Sequence, residues 1–118
     1  MERSEIEEMF AALGPVTIRR MFGGKGVYVQ GSIVAVEFQG DILLKADDIS
    51  APQFAAAGAV RWEYEGKAGK SVYMPYWSVP AEAFDDPDSM AHWVKLAHAA
   101  ALRAAKAAQA TPKRKKRG

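Results

Sequence analysis

Between Val16 and Lys45 the chain breaks into four short runs of strand character, Thr17 to Phe22, Gly26 to Gln30, Ile33 to Phe38 and Ile42 to Lys45, separated only by glycine-containing turns. This spacing constrains the fold more than any other feature. Gly31-Ser32 and Gln39-Gly40-Asp41 leave so few residues for reversal that the neighbours must be antiparallel, since a parallel pair needs a long crossover. A meander of three or four strands follows. Ile33 to Phe38 is apolar at five of six positions, so it has little polar face to offer water.

Helices are expected on either side of this meander. Ser4 and Glu7 have the spacing of a capping box, Ile6, Met9, Phe10 and Leu13 form one apolar stripe, and Gly14-Pro15 ends the segment. Asp47 or Asp48 opens a second helix, with Pro52 confined to its first turn, Phe54 in its body and Gly58 at its end. Val60, Trp62 and Tyr64 then alternate with Arg61, Glu63 and Glu65, the pattern of a half-buried strand. Ser71 to Trp77 follows after a turn, and Pro75 inside it predicts an edge strand or a bulge.

The last helix begins at Asp85-Asp86-Pro87-Asp88, where a cap, a proline at the first helical position and a first-turn carboxylate coincide. Met90, Trp93, Val94, Ala97, Ala101, Ala104, Ala105 and Ala108 make its buried face, and Thr111-Pro112 its expected stop. The class is therefore α+β, an antiparallel sheet with flanking helices in the order α, three or four β, α, two β, α. Residues 1–110 form one domain and 111–118 a disordered basic tail.

Composition agrees with a single soluble domain: 118 residues, 49% hydrophobic, 25% charged, with a mean hydropathy of -0.18. No cysteine is present, which excludes disulfide scaffolds, thiolate nucleophiles and cysteine-ligated metals. The early glutamates do not fit a secretion signal, and no apolar run approaches the ~20 residues of a membrane span, so a cytoplasmic location is expected. The net charge of +2 divides unevenly. Lys113, Arg114, Lys115, Lys116 and Arg117 supply five of the 16 basic residues, which leaves residues 1–112 with 11 basic against 14 acidic side chains, or -3.

Three segments together resemble a known family. Arg19-Arg20-Met21-Phe22-Gly23-Gly24-Lys25-Gly26-Val27-Tyr28, Trp62-Glu63-Tyr64 and Tyr73-Met74-Pro75-Tyr76-Trp77-Ser78-Val79-Pro80, followed by a helix containing Trp93, look like the N-terminal domain of TfoX/Sxy competence regulators over roughly residues 1–106. The resemblance implies a secretion-chaperone-like α+β domain and a regulatory role exerted through other proteins. It supplies no catalytic residue, and the second, helical domain of the family's namesakes is replaced here by the basic tail.

None of the polar clusters has the full pattern of a catalytic or metal site. Gly23 to Gly26 could cradle a phosphate, but no helix pattern follows and Lys25 is not followed by Ser or Thr; around Gly69-Lys70-Ser71, Tyr64 occupies the place of the required first glycine. His92 and His98 are six apart, about 120° around a helix, so they do not share a ligand face. Asp85, Asp86 and Asp88 lack the glycine and distal glutamate of a calcium loop. No nucleophile elbow is present. The expectation is a binding module and not an enzyme, with no cofactor, metal or membrane contact; the alternative is an orphan enzyme or small-ligand protein with a pocket near Arg20 and the Gly23–Gly26 turn.

Two surfaces are expected to serve such a module. Arg19, Arg20 and Lys25, beside Tyr28, are candidates for nucleic-acid contact, and so are the five tail cations, which could neutralise up to five phosphates without reading sequence. Trp62, Tyr73, Tyr76 and Trp77 are the candidate surface for a protein partner or a second copy of the chain.

Overall fold

The expected meander is present in a computed structural model that describes residues 1–21 and 23–115, the side chains of residue 67 and of residues 110–115 excepted. Helix α1 (Arg3–Met9) and a 3-10 turn lead into β1 (Thr17–Met21), β2 (Gly24–Val29), β3 (Ser32–Phe38) and β4 (Asp41–Lys45). Helix α2 (Ala51–Ala56), β5 (Arg61–Glu65), β6 (Ser71–Ser78) and α3 (Pro87–Lys115) follow. All neighbouring strands are antiparallel, in the order β1-β2-β3-β4-β6-β5. Gln30 and Gly31, at φ 48° and 86°, and Gln39 and Gly40, at 53° and 88°, supply the paired positive φ that tight hairpins need to match strand twist.

Among the described residues, one face of the sheet carries all three α-helices. Ile6 and Phe10 of α1, Phe54 of α2 and Trp93, Val94 and Ala97 of α3 form a single buried cluster with Val27, Val29, Val34, Ala35, Ile42 and Leu44. A shift in register, Val27 pairing Ala35 while Tyr28 pairs Ile33, inserts Val34 as a bulge, and Val34 and Ala35 are both in that cluster. Phe54 is fully buried between aromatic rings, 4.9 Å from that of Trp93 and 6.2 Å from that of Trp77.

A second tie fixes α3. Arg103 Nε and Nη2 donate to Asp47 Oδ2 and Oδ1 at 2.6 and 2.9 Å, a forked pair joining the helix to the β4–α2 junction. Asp47 Oδ1 also accepts the Ile49 and Ser50 amides at 3.1 Å each. The Arg103 hydrogen bonds are the main reason the Asp47 carboxyl is held far below the usual carboxylate range; burial opposes them.

Several local expectations need correction. The capping box of α1 uses Glu2 and Glu5 rather than Ser4 and Glu7: the Glu2 carbonyl already accepts from the Glu5 and Ile6 amides, so Ser4 lies inside the first turn, and the Glu2 amide donates to Glu5 Oε1 at 2.8 Å. Pro75 marks a bulge and not an edge. Strand β6 lies inside the sheet, and β5 is the edge. Arg61 pairs Trp77 and Glu63 pairs Tyr73, so β6 holds two residues more than β5 between those rungs. Arg61 Nε donates to the Met74 carbonyl at 2.9 Å and the Ala46 amide to that of Pro75 at 3.0 Å, which satisfies the bulged backbone. As an edge strand β5 buries less than its alternation suggested: Trp62 is half-buried, but Val60 is 68% and Tyr64 54% exposed.

The start of α3 is as expected, with Asp86 Oδ1 accepting the Asp88 amide at 3.0 Å. Its far end differs. Ala104 and Ala108 are exposed, and the helix continues past Thr111-Pro112 to Lys115, carried by an alanine-rich stretch of high helix propensity. The tail side chains of Lys113, Arg114, Lys115, Lys116 and Arg117 lie outside the described residues. Among the described residues no helix is long and apolar enough to cross a membrane.

Two stability measurements test these ties. Phe54→Ala should cost about 3–5 kcal/mol in denaturant unfolding, because its cavity lies between rings that cannot both collapse into it. For Asp47 the folded pKa is depressed, so its contribution is complete above the ordinary value of 3.8 and is lost as pH falls through the folded value. Asp47→Asn should therefore lower Tm at neutral pH, and the gap to the native chain should narrow steadily once pH drops below about 4.

Candidate binding site on the open face of the sheet

Strand parity decides which side chains share the second face. Directly paired residues of antiparallel strands point the same way. The register therefore groups Thr17, Arg19 and Met21 of β1 with Tyr28, Gly26 and Gly24 of β2, then with Val36 and Phe38 of β3 and Leu43 and Lys45 of β4. Beyond β4 the face continues through Tyr76 and Met74 of β6 to Trp62 and Tyr64 of β5. Among the described residues no helix covers it.

A cleft of about 490 Å³ opens there, walled by Met21, Val36, Phe38, Trp62, Tyr64, Met74 and Tyr76, with Gly24, Lys25 and Glu37 completing its lining. Its aromatic wall is continuous: Phe38 and Trp62 lie 5.5 Å apart between ring centroids, and Trp62 and Tyr76 lie 6.3 Å apart, edge to face. Tyr76 is buried, which pushes its phenol upward in pKa, and the Tyr28 phenol adds to this. Two cations flank the face against rings, Arg19 at 5.6 Å from the Tyr28 centroid and Lys45 at 5.2 Å from that of Tyr76. Glycine shapes the floor. A Cβ on Gly26 would meet Met21 Sδ at 2.7 Å and Tyr28 Cε1 at 2.9 Å, so these side chains close over the backbone where a larger residue would lift them.

The candidate nucleic-acid residues do not form one patch. Arg19 points to the open face, whereas Arg20 and Lys25 pair with each other and face the other way. Lys25 Nζ donates to the Met1 carbonyl at 2.9 Å, and the Met1 ammonium lies 3.3 Å from buried Glu37. A second, shallower cavity of about 420 Å³ beside the glycine turn is lined by Arg20, Met21, Gly23, Gly24, Lys25 and Glu37, but Lys25 and Glu37 are thus already engaged.

The aromatic partner set also divides. Trp62 and Tyr76 line the cleft; Trp77 faces the helices against Phe54; Tyr73 lies on the helix side of the sheet, 60% exposed, with Arg61 5.4 Å from its ring. His92 stands edge-on to Trp93 at 5.0 Å, and His98 Nε2 is buried without a hydrogen-bond partner. Among the described residues no three acidic or imidazole groups gather as a metal site.

A sequence model of the TfoX N-terminal domain matches residues 8–101. The chain belongs to that family. No curated protein is significantly similar to it. Of the positions that carry the TfoX resemblance, Met21, Gly24, Gly26, Tyr28, Tyr64, Met74 and Tyr76 meet on the open face although they come from three separate segments. Gly23 makes the β1–β2 turn at φ 80°, Val79, Pro80 and Trp93 belong to the helix-side interior, Tyr73 lies on that side too, and Phe22 lies outside the described residues.

Sequence reasoning missed Val36 and Phe38 as cleft walls. Their signal was the apolar run of β3, which leaves apolar side chains on both faces of a strand that only one helical layer covers. It also missed Asp47 with Arg103, 56 positions apart, for which no local pattern exists.

The two floor glycines should respond differently to alanine. A Cβ on Gly24 collides with the Glu37 carbonyl, part of the paired backbone, whereas on Gly26 it meets movable side-chain ends. Overpacking costs about 1–3 kcal/mol, so Gly24→Ala should fall at or above the top of that range and Gly26→Ala near its bottom, as measured by urea unfolding.

Proposed function

We propose that this TfoX N-terminal domain is a binding module that docks an apolar, aromatic-bearing segment of a protein partner in the open-face cleft, with the basic tail adding non-specific nucleic-acid contact. The module has no catalytic role of its own in this reading, and it works in the cytoplasm. One observation carries it: aromatic and methionine side chains, most of them half-buried or exposed, line a continuous cleft on a sheet face that no helix among the described residues covers. Such rings offer large contact area at low entropic cost, and Met21 and Met74 can adapt their shape to an incoming side chain. The flanking Arg19 and Lys45 suit a segment that carries carboxylates beside its apolar anchors.

The small-ligand alternative at the glycine turn has less support, because Lys25 and Glu37, the groups that would converge on a ligand there, are held by the N-terminal residue. Regulation through a partner is the role this reading gives the domain.

Affinity capture separates the parts. The full chain, residues 1–110 and a Tyr64→Glu variant are each used as bait, with and without nuclease. The expected result is one protein that survives nuclease and tail removal but is lost at least tenfold with Tyr64→Glu, at the edge of the cleft. Capture that depends wholly on nucleic acid, or that ignores Tyr64→Glu, would overturn the cleft as the docking site.

A further inference from the structure

The outer edge of β5 has unusual self-complementarity. The Val60 carbonyl accepts the Ser78 amide at 2.9 Å and the Gly66 amide donates to the Lys70 carbonyl at 2.7 Å, so the even-numbered positions turn their peptide groups inward to β6. The peptide groups of Arg61, Glu63 and Glu65 consequently point outward, and β5 ends the sheet. Large apolar side chains stand exposed at the same edge, Val60 at 68% and Tyr64 at 54%.

We propose that β5 pairs edge to edge with β5 of a second copy of this chain, antiparallel, about a two-fold axis at Trp62. In this register Arg61 faces Glu63 of the partner subunit and Glu63 faces the partner's Arg61. Val60 faces the partner's Tyr64, and the two Trp62 residues adjoin across the axis. From position 60 to position 64 each charge meets its opposite and each apolar residue an apolar one, while Glu65 lies beyond the matched rungs, opposite the partner's Ala59. The outward peptide groups of Arg61 and Glu63 then hydrogen-bond across the edge. Moving the axis to Glu63 keeps the backbone pairing possible but sets Glu63 against its own copy, a like-charge rung that disfavours the register. Strand β1, the other edge, carries Arg19 and Arg20 and no carboxylate, so it has no comparable match with itself. The inference does not depend on what occupies the cleft.

Sedimentation velocity on the full chain reads the outcome. The native protein should sediment at twice its 12.8 kDa. Arg61→Glu and Glu63→Arg should each be monomeric, because each variant places like charges across the edge. An equimolar mixture of the two should return to a dimer, since every carboxylate of one variant then faces a guanidinium of the other. Arg61 also holds the Met74 carbonyl. If Arg61→Glu does not fold by circular dichroism, Trp62→Cys replaces it: in a chain without cysteine it should cross-link to itself on mild oxidation, and adding Glu63→Arg should abolish the cross-link. A native chain that stays monomeric at its highest soluble concentration would overturn the proposal. So would single variants that remain dimeric, a mixture of folded variants that stays monomeric, or a Trp62→Cys cross-link that persists with Glu63→Arg.

Discussion

The packing of Phe54 between Trp77 and Trp93 is the contact on which the arrangement depends. It joins an interior strand, the short helix α2 and the long helix α3 at one buried point, and it does so on one side of the sheet. Aromatic rings in offset and tilted contact resist sliding more than aliphatic side chains do, so this junction fixes where α3 lies as well as that it is buried. The Asp47–Arg103 fork fixes the same helix farther along, and a forked pair constrains direction as well as distance. With both ties on one face, the helices are not available to cover the other.

That asymmetry turns an ordinary sheet into a candidate recognition surface. A strand buried on both faces reads as a continuous apolar run, and β3 does so. Here its inner residues meet helices, while among the described residues Val36 and Phe38 lie on the face without a helix, Phe38 against Trp62 of β5. The uncovered face limits its exposure by leaning rings on one another and by closing Met21 and Tyr28 over Gly26. The result is an open cleft rather than a packed layer.

Much of this was legible because local rules govern short distances. The meander followed from glycine spacing, the start of α3 from Asp86 and Pro87, and the stripe of α1 from its period, since each depends on residues a few positions apart. What was not legible depended on sheet order. Alternation in β5 predicts a half-buried strand, and Pro75 leaves an edge or a bulge open for β6; only the placement of β6 between β4 and β5 exposes Val60 and Tyr64 and makes Pro75 a bulge. Parity has the same character. Trp62, Tyr73, Tyr76 and Trp77 are one aromatic group in the sequence; alternation along β6 separates Tyr76 from Tyr73 and Trp77, but only the placement of the helices decides that the Tyr76 side is the open one.

The edge and the cleft are not independent in space. Trp62 and Tyr64 wall the cleft and also belong to the edge strand, so pairing of β5 across a two-fold axis brings two clefts side by side on one continuous sheet face. Val60, 68% exposed in a single chain, would then extend the wall beside the partner's Tyr64. A docked segment that spans the axis would meet both clefts, and the second contact would form at the high effective concentration set by the first. Dimer formation would in that way raise affinity for a long or repeated apolar segment without any change in the cleft itself, and a short segment that fills one cleft would gain nothing from it.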